Sequence, residues 1–120
     1  MNLESLLFKQ RQLMEHVPHE ISVNNIHRLI AAKGLVEEVL EYLNSVGTKP
    51  WRPNPLPRED QLEELTDSLH FFLELIILSG FSLEEIEDCY HTKWQTNMDR
   101  YTRGKQGDYS WDDRISKTEL

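Results

Sequence analysis

The chain has 120 residues, of which 38% are hydrophobic and 28% are charged, and its formal net charge at pH 7 is −8. This length accommodates one domain, residues 1–120, with a single hydrophobic core, and the composition is typical of a globular protein. The negative charge argues against duplex nucleic acid as a partner, because polyanions bind to basic surfaces.

Hydrophobic spacing predicts an all-α protein with four helices and no strands. The first helix covers residues 3–15, where leucines recur at helical spacing, and it ends before Pro18. The second begins near Ser22 or Asn24, because either side chain can cap exposed backbone amides, and it continues to about Val46.

A proline-rich loop follows the second helix. Gly47 is expected to end that helix in the left-handed conformation, which glycine adopts without a steric penalty. Residues 47–58 contain four prolines, which lack the amide donor and restrict the residues before them. We therefore expect a stiff, extended loop that exposes Trp51.

The third helix is predicted over residues 59–79 and is closed by Gly80. The fourth begins at Ser82, whose hydroxyl can pair with Glu85 in a capping box, and it continues to about Arg103. The tail, residues 104–120, is rich in glycine and charge, and we expect it to be irregular.

Neither membrane insertion nor a disulfide is expected. The most apolar stretch, residues 70–81, is interrupted by Glu74 and is too short to span a bilayer. Residues 1–12 lack the long apolar core of a signal peptide. Because Cys89 has no second cysteine to pair with, the chain fits a reducing compartment, and the cytoplasm is the expected location.

Two acidic motifs carry the candidate chemistry, and in each of them two acids lie three residues apart on one helix face. An ordinary solvated surface is a sufficient interpretation for Glu37 and Glu63. The remaining four carboxylates are Glu38 and Glu41 on the second helix, and Glu64 and Asp67 on the third.

The third helix is apolar on two sides, which bears on where its acids point. One apolar stripe continues from Asp67 through Phe71 to Leu78, and a second face carries further large apolar residues from Leu62 to Ile76. A helix buried on two sides directs its acids into an interior or an interface rather than into bulk water.

Converging carboxylates in a sheltered place require cations, because an unpaired buried charge destabilises the fold or takes up a proton. Oxygen ligands on rigid helices suit Mg²⁺, for which Mn²⁺ can substitute, and Mg²⁺ also accepts phosphate oxygens. A metal ion beside a carboxylate base can promote hydrolysis of a phosphoanhydride. The sequence therefore predicts a magnesium-dependent hydrolase site.

These motifs resemble those of the all-α nucleotide pyrophosphohydrolases, the MazG and dimeric dUTPase superfamily, and the dimeric dUTPases are the more similar group. Further similarities are the run Asp67-Ser68-Leu69-His70-Phe71, the spacing Leu7-Gln10-Leu13, Trp51 before the third helix, and Lys93, Asn97, Arg100, Gly104 and Tyr109 near the C-terminus.

The resemblance implies a four-helix MazG-like bundle completed by dimerisation, as a homodimer or a dimer of dimers. It implies Mg²⁺-dependent cleavage of a nucleoside triphosphate to the monophosphate and pyrophosphate, with dUTP as the expected substrate. The implied role is to remove unwanted nucleotides from the nucleotide pool (house-cleaning). By position, Glu38, Glu41, Glu64 and Asp67 would hold the metal, with Glu41 and Glu38 catalytic and Glu41 as the base. Lys93, Asn97, Arg100 and Tyr109 would bind the phosphates, and Gln10, Trp51 and Phe71 would surround the nucleobase.

Three alternatives stay open. Met14 stands where the dUTPases carry an asparagine, which favours the same chemistry on dCTP or a non-canonical triphosphate. The acidic content alone would also fit a non-catalytic helical module that binds a basic partner. Asp67 and His70 could belong to an iron-binding bundle, but the second such pair that it needs is missing, so His70 is interpreted as a packing or supporting residue.

Overall fold

The structure is a computed structural model that describes residues 1–16 and 25–105. Within these ranges the chain forms four helices, α1 (Leu3–Met14), α2 (Asn25–Val46), α3 (Arg58–Leu78) and α4 (Leu83–Lys105), and no strand. The predicted all-α class and the four helices are confirmed. Ser22 and Asn24, where the second helix was expected to begin, lie outside the described residues. Helix α4 continues two residues past Arg103, so Gly104 and Lys105 are helical rather than irregular.

The first helix begins with a cap that the spacing of leucines did not reveal. The Asn2 carboxamide accepts a hydrogen bond from the Ser5 amide, and the Ser5 hydroxyl accepts one from the Asn2 amide, both at 3.0 Å. This reciprocal pair satisfies two amides that a helix start leaves without partners. Helix α1 contacts α3, and its buried face consists of Leu7, Gln10 and Met14.

Helices α2 and α3 form the main packed pair. They run antiparallel, since Gly34 of α2 lies against Phe71 of α3 while Glu41, two turns later on α2, meets Glu64, two turns earlier on α3. A Cβ atom on Gly34 would lie 2.5 Å from Cε1 of Phe71, far inside contact distance. The absence of a side chain at Gly34 therefore sets how closely the two helices approach.

The proline-rich loop folds back onto the end of α2. Gly47 has a φ of +88°, and a Cβ atom there would lie 2.5 Å from the Pro53 carbonyl oxygen. The Leu56 amide donates to the Ser45 carbonyl at 2.8 Å, which anchors the far end of the loop. Trp51 is 73% exposed, so the predicted exposed tryptophan is confirmed. The expectation of an extended loop is wrong between Lys49 and Arg52, where the backbone reverses in a tight turn.

Helix α3 is buried on one side over most of its length, which corrects the expectation of two buried sides. Its buried residues cluster at the C-terminal end, from Leu73 to Leu78. On the second apolar face only Ile76 is buried, whereas Leu62, Leu65, Leu69 and Phe72 are 41–63% exposed. Amphipathic spacing identified these residues as apolar, but neither α1 nor α2 buries them.

The chain divides into two compact units, Met1–Ser82 and the residues from Leu83 onward. Helices α1 to α3 make up the first unit, and α4 is the described helix of the second. Helix α4 exposes large side chains of its own, including Tyr90 at 73% and Trp94 at 46%. Among the described helices, none has an apolar stretch long enough to cross a membrane.

Candidate active site

Three of the four predicted acids meet at the crossing of α2 and α3. Carboxylate oxygens of Glu38, Glu41 and Glu64 all lie within 4.8 Å of one another. Asp67 follows Glu64 by one helical turn, and its negative charge acts on both Glu38 and Glu64. We call these four residues the acid cluster. The antiparallel register of the two helices produces the cluster, because the paired acids of each helix face those of the other.

Burial and mutual repulsion raise the pKa of two acids in the cluster. The pKa of Glu38 is raised first by burial and then by the charge of Glu41 and a hydrogen bond with it, with smaller contributions from Asp67 and Glu64. The pKa of Glu64 is raised by burial, by a hydrogen bond with Glu41 and by the charges of Glu41, Asp67 and Glu63. Both acids therefore bind protons more tightly than free carboxylates do.

Glu38 carries a buried atom without a partner. Its Oε2 is shielded from solvent and accepts no hydrogen bond from residues 1–16 or 25–105, although a buried carboxylate oxygen is normally satisfied. The cluster offers only carboxylate oxygens, the donor type that hard divalent cations prefer. These four residues therefore fit Mg²⁺ or Mn²⁺, and a cation there would satisfy Glu38 Oε2 and relieve the repulsion among the acids.

The cluster is less enclosed than expected from the sequence. Glu38 and Glu64 are half-buried, but Glu41 and Asp67 are exposed. The difference arises because the N-terminal half of α3 is covered on one side only. Glu41 and Asp67 therefore do not point into an interior of this chain, and the alternative that they point into an interface stays a prediction.

Two cavities flank the acid cluster, and each is lined by two of its four acids. The α1 cavity has a volume of about 410 Å³ and contains Glu38 and Asp67 together with Gln10, Leu13, His70, Phe71 and Glu74. The loop cavity has a volume of about 300 Å³ and contains Glu41 and Glu64 together with Asn44, Ser45, Lys49, Arg52, Asn54 and Leu56. A ligand that reaches both cavities must therefore pass over the cluster.

Two of the three predicted base-binding residues lie in the α1 cavity. Gln10 is 6% exposed, and its Oε1 lies 2.8 Å from Nδ1 of His70. Phe71 lies beside Gly34 in the same cavity. Trp51 lines neither cavity, and the Lys49 ammonium lies 5.7 Å from the centre of its ring. The structure thus brings Gln10 and Phe71 together and leaves Trp51 apart from them.

The position of Met14 bears on base specificity. Met14 is 8% exposed and belongs to the face of α1 that packs into the first unit. Leu13, the residue before it, is the one that lines the α1 cavity with Gln10. In this arrangement the apolar residue next to the candidate base site is Leu13, and Met14 is a packing residue.

The predicted phosphate-binding residues belong to the second unit. Lys93, Asn97 and Arg100 lie on α4, and their spacing of four and three residues places them on one helix face. Tyr109 lies outside the described residues. Sequence analysis did not single out Lys49 and Arg52, the cations of the loop cavity, and the only signal for them was their place in the loop between the two acidic motifs.

Comparisons with known proteins match the part of the chain that contains this site. The profile of a family described as dUTPase matches residues 2–79, which include α1, α2, α3 and the whole acid cluster. The dCTP pyrophosphatase of Enterobacteria phage LZ5 is 39% identical over 69 residues, covering 47% of this chain and 40% of the relative. The matched region is thus less than half the length of that relative. No solved structure matches the chain.

Proposed function

This chain belongs to the dUTPase family, and we propose that it hydrolyses a deoxynucleoside triphosphate to the monophosphate and pyrophosphate. The first candidate substrate is dUTP. The observation that carries this proposal is the acid cluster, in which carboxylates from two helices converge and one buried oxygen has no partner. An acidic surface that docks a basic protein would present its oxygens to the partner, whereas Glu38 Oε2 is shielded from any macromolecule.

Glu38, Glu41, Glu64 and Asp67 would hold Mg²⁺. When bound, Mg²⁺ would neutralise charge on the phosphates and help to orient them. The four side chains stand on two helices whose separation is set by the contact between Gly34 and Phe71. This rigid support matters because Mg²⁺ requires a narrow ligand geometry.

Glu41 is the proposed base for the attacking water. It is the exposed member of the α2 pair, and it contacts both Glu38 and Glu64. A water oxygen bonds to the phosphorus on one side of the α–β bridging oxygen, and the bond from that phosphorus to the bridging oxygen breaks. Glu41 takes the proton that the water loses, and the bridging oxygen leaves with the other fragment. The products are the monophosphate and pyrophosphate.

The α1 cavity is the proposed nucleoside site. Gln10 supplies a polar group for the edge of the base, and Phe71 and Leu13 supply apolar contacts. Its volume of about 410 Å³ is within the range of small-molecule sites. Trp51 remains a predicted base contact that would have to reach this cavity from the loop, and Lys93, Asn97, Arg100 and Tyr109 remain predicted phosphate contacts from the second unit.

A second substrate candidate is dCTP. The relative from phage LZ5 is named a dCTP pyrophosphatase. We also propose that the protein is a homodimer, since Leu62, Leu65, Leu69 and Phe72 leave an apolar face of α3 uncovered.

The experiment is a pyrophosphate-release assay over dUTP, dCTP and the other common triphosphates, with and without Mg²⁺. Turnover is expected to require Mg²⁺ and to fall by at least about 100-fold in Glu41→Gln and Asp67→Asn. The matched control is Glu37→Gln, which changes an exposed acid of α2 that lies 3.9 Å from Lys33. Undiminished turnover in both cluster variants would contradict the proposal.

A further inference from the structure

The lining of the loop cavity includes two cationic residues and two acids of the cluster. Lys49 and Arg52 come from the proline-rich loop, and Glu41 and Glu64 come from α2 and α3. Lys49 is half-buried and Arg52 is exposed. Asn44, Ser45 and Asn54 are the other polar residues of the lining.

The backbone fixes where the two cations stand. The Arg52 amide donates to the Lys49 carbonyl at 2.9 Å, and these residues form an isolated antiparallel bridge, so they flank a tight turn. The Thr48 amide and hydroxyl both donate to the Leu43 carbonyl, at 3.3 and 3.0 Å, which fastens the start of the loop to α2. Lys49 and Arg52 are therefore held beside the cavity by anchored backbone.

Within the described part of the chain no carboxylate holds Lys49 or Arg52 in an ion pair, although both share a cavity with carboxylates. The Lys49 ammonium lies 5.7 Å from the centre of the Trp51 ring, and Arg52 is exposed. A small cavity lined by both cations and carboxylates suits a ligand that is itself anionic and also binds a divalent cation. A diphosphate group has both properties, because its oxygens accept hydrogen bonds from Lys and Arg and also ligate Mg²⁺.

We infer that the loop cavity is the site of the pyrophosphate end of the substrate, with Lys49 and Arg52 as its cationic contacts. The inference rests on the proposed function and gives the substrate a direction. The nucleoside lies in the α1 cavity, the cleaved bond lies over the acid cluster, and the diphosphate lies in the loop cavity beside Glu41. Asn44 and Asn54 are further donors for its oxygens.

The test is a calorimetric titration of inorganic pyrophosphate into the whole chain in the presence of Mg²⁺. The double variant Lys49→Gln/Arg52→Gln is expected to bind pyrophosphate at least about tenfold more weakly, because charge-assisted hydrogen bonds are lost. Lys33→Gln, which removes an exposed cation of α2 outside the cavity, is expected to bind as the parent does. The charge-conserving variant Lys49→Arg/Arg52→Lys is expected to keep most of the affinity for pyrophosphate. If Lys49→Gln/Arg52→Gln does not fold, the two single variants Lys49→Gln and Arg52→Gln are measured instead.

Several results would overturn the site. These are absence of pyrophosphate binding to the parent, equal binding by the parent and the double variant, and loss of binding only in a Lys93→Gln/Arg100→Gln variant. The site would also be overturned if the double variant lost as much affinity for Mg²⁺ alone as it lost for pyrophosphate, because the substitutions would then have damaged the acid cluster. A parent that binds pyrophosphate through these cations but cleaves no nucleotide would contradict the proposed reaction and leave the site intact.

Discussion

Nδ1 of His70 lies 2.8 Å from Oε1 of Gln10, which joins α3 to a buried carboxamide on α1. Because a carbonyl oxygen can only accept, the ring nitrogen is the donor in this bond. This bond fixes the orientation of the Gln10 carboxamide, whose NH₂ group is then its donor for a ligand in the α1 cavity. A donor at that point suits the O4 carbonyl of uracil better than the amino group of cytosine.

Replacing His70 should therefore weaken discrimination between the two pyrimidines. In His70→Ala the Gln10 carboxamide can rotate, and the ratio of kcat/KM for dUTP to that for dCTP is expected to fall by about tenfold, the effect of roughly one hydrogen bond. Steady-state assays with both nucleotides measure this ratio. His91→Ala, a change of an exposed histidine on α4 that stacks on Trp94, is the control. An unchanged ratio in His70→Ala would mean that His70 does not orient Gln10.

In Gly34→Ala, the contact with Phe71 should produce a steric cost that opposes the gain in helix propensity. Alanine favours a helix by about 1 kcal/mol over glycine, so Gly34→Ala would stabilise a helix with free space at this point. Here the new Cβ would lie 2.5 Å from the Phe71 ring, and overpacking costs about 1–3 kcal/mol. The expected result is a lower free energy of unfolding in denaturant titrations.

The double variant Gly34→Ala/Phe71→Leu separates the two contributions. Removing the ring should recover part of the loss, so the two substitutions should be non-additive, with the double variant more stable than the sum of the single effects predicts. Strict additivity, or a stabilising effect of Gly34→Ala alone, would show that α2 and α3 can move apart without cost.

The acid cluster shows how far sequence reasoning extends at this site. The three-residue spacing within each motif indicated which acids share a helix face, because helix geometry fixes that relation locally. The meeting of Glu38, Glu41 and Glu64 depends in addition on the register between α2 and α3. The loop cavity could not be foreseen in this way. It depends on the positive φ of Gly47 and on the bond from Leu56 to Ser45, which fold the loop back onto α2, and hydrophobic spacing carries no information about such a reversal.

The raised pKa values of Glu38 and Glu64 predict how Mg²⁺ binding depends on pH. Both acids hold protons more tightly in the folded chain than in the unfolded chain. Without metal, the folded state is therefore favoured by protonation and loses stability as pH rises from the ordinary carboxylate range, about 4.3, through the raised values. Mg²⁺ competes with those protons, so the increase in Tm on adding Mg²⁺ should be largest near neutral pH and should shrink as pH falls.

Glu38→Gln provides the check on this assignment. Removing one negative charge from the cluster should raise the Tm of the metal-free protein at neutral pH, flatten its pH dependence and abolish most of the shift produced by Mg²⁺. Scanning calorimetry between pH 5 and 8 measures all three effects. If Glu37→Gln flattened the pH profile as strongly as Glu38→Gln does, the effect would come from general surface charge rather than from the cluster.

The uncovered face of α3 predicts a dependence on assembly. Leu65, Leu69 and Phe72 line an apolar groove of about 450 Å³ with Leu35 of α2, and Leu65, Leu69 and Phe72 are 48%, 41% and 48% exposed. Burying such a face in a homodimer removes apolar area from water, and a charge placed in it would oppose association. Sedimentation should therefore show a dimer for the parent chain and a monomer for Phe72→Glu. Glu59→Gln, an exposed change in the first turn of α3, should leave the dimer unchanged, and a monomeric parent would contradict the homodimer directly.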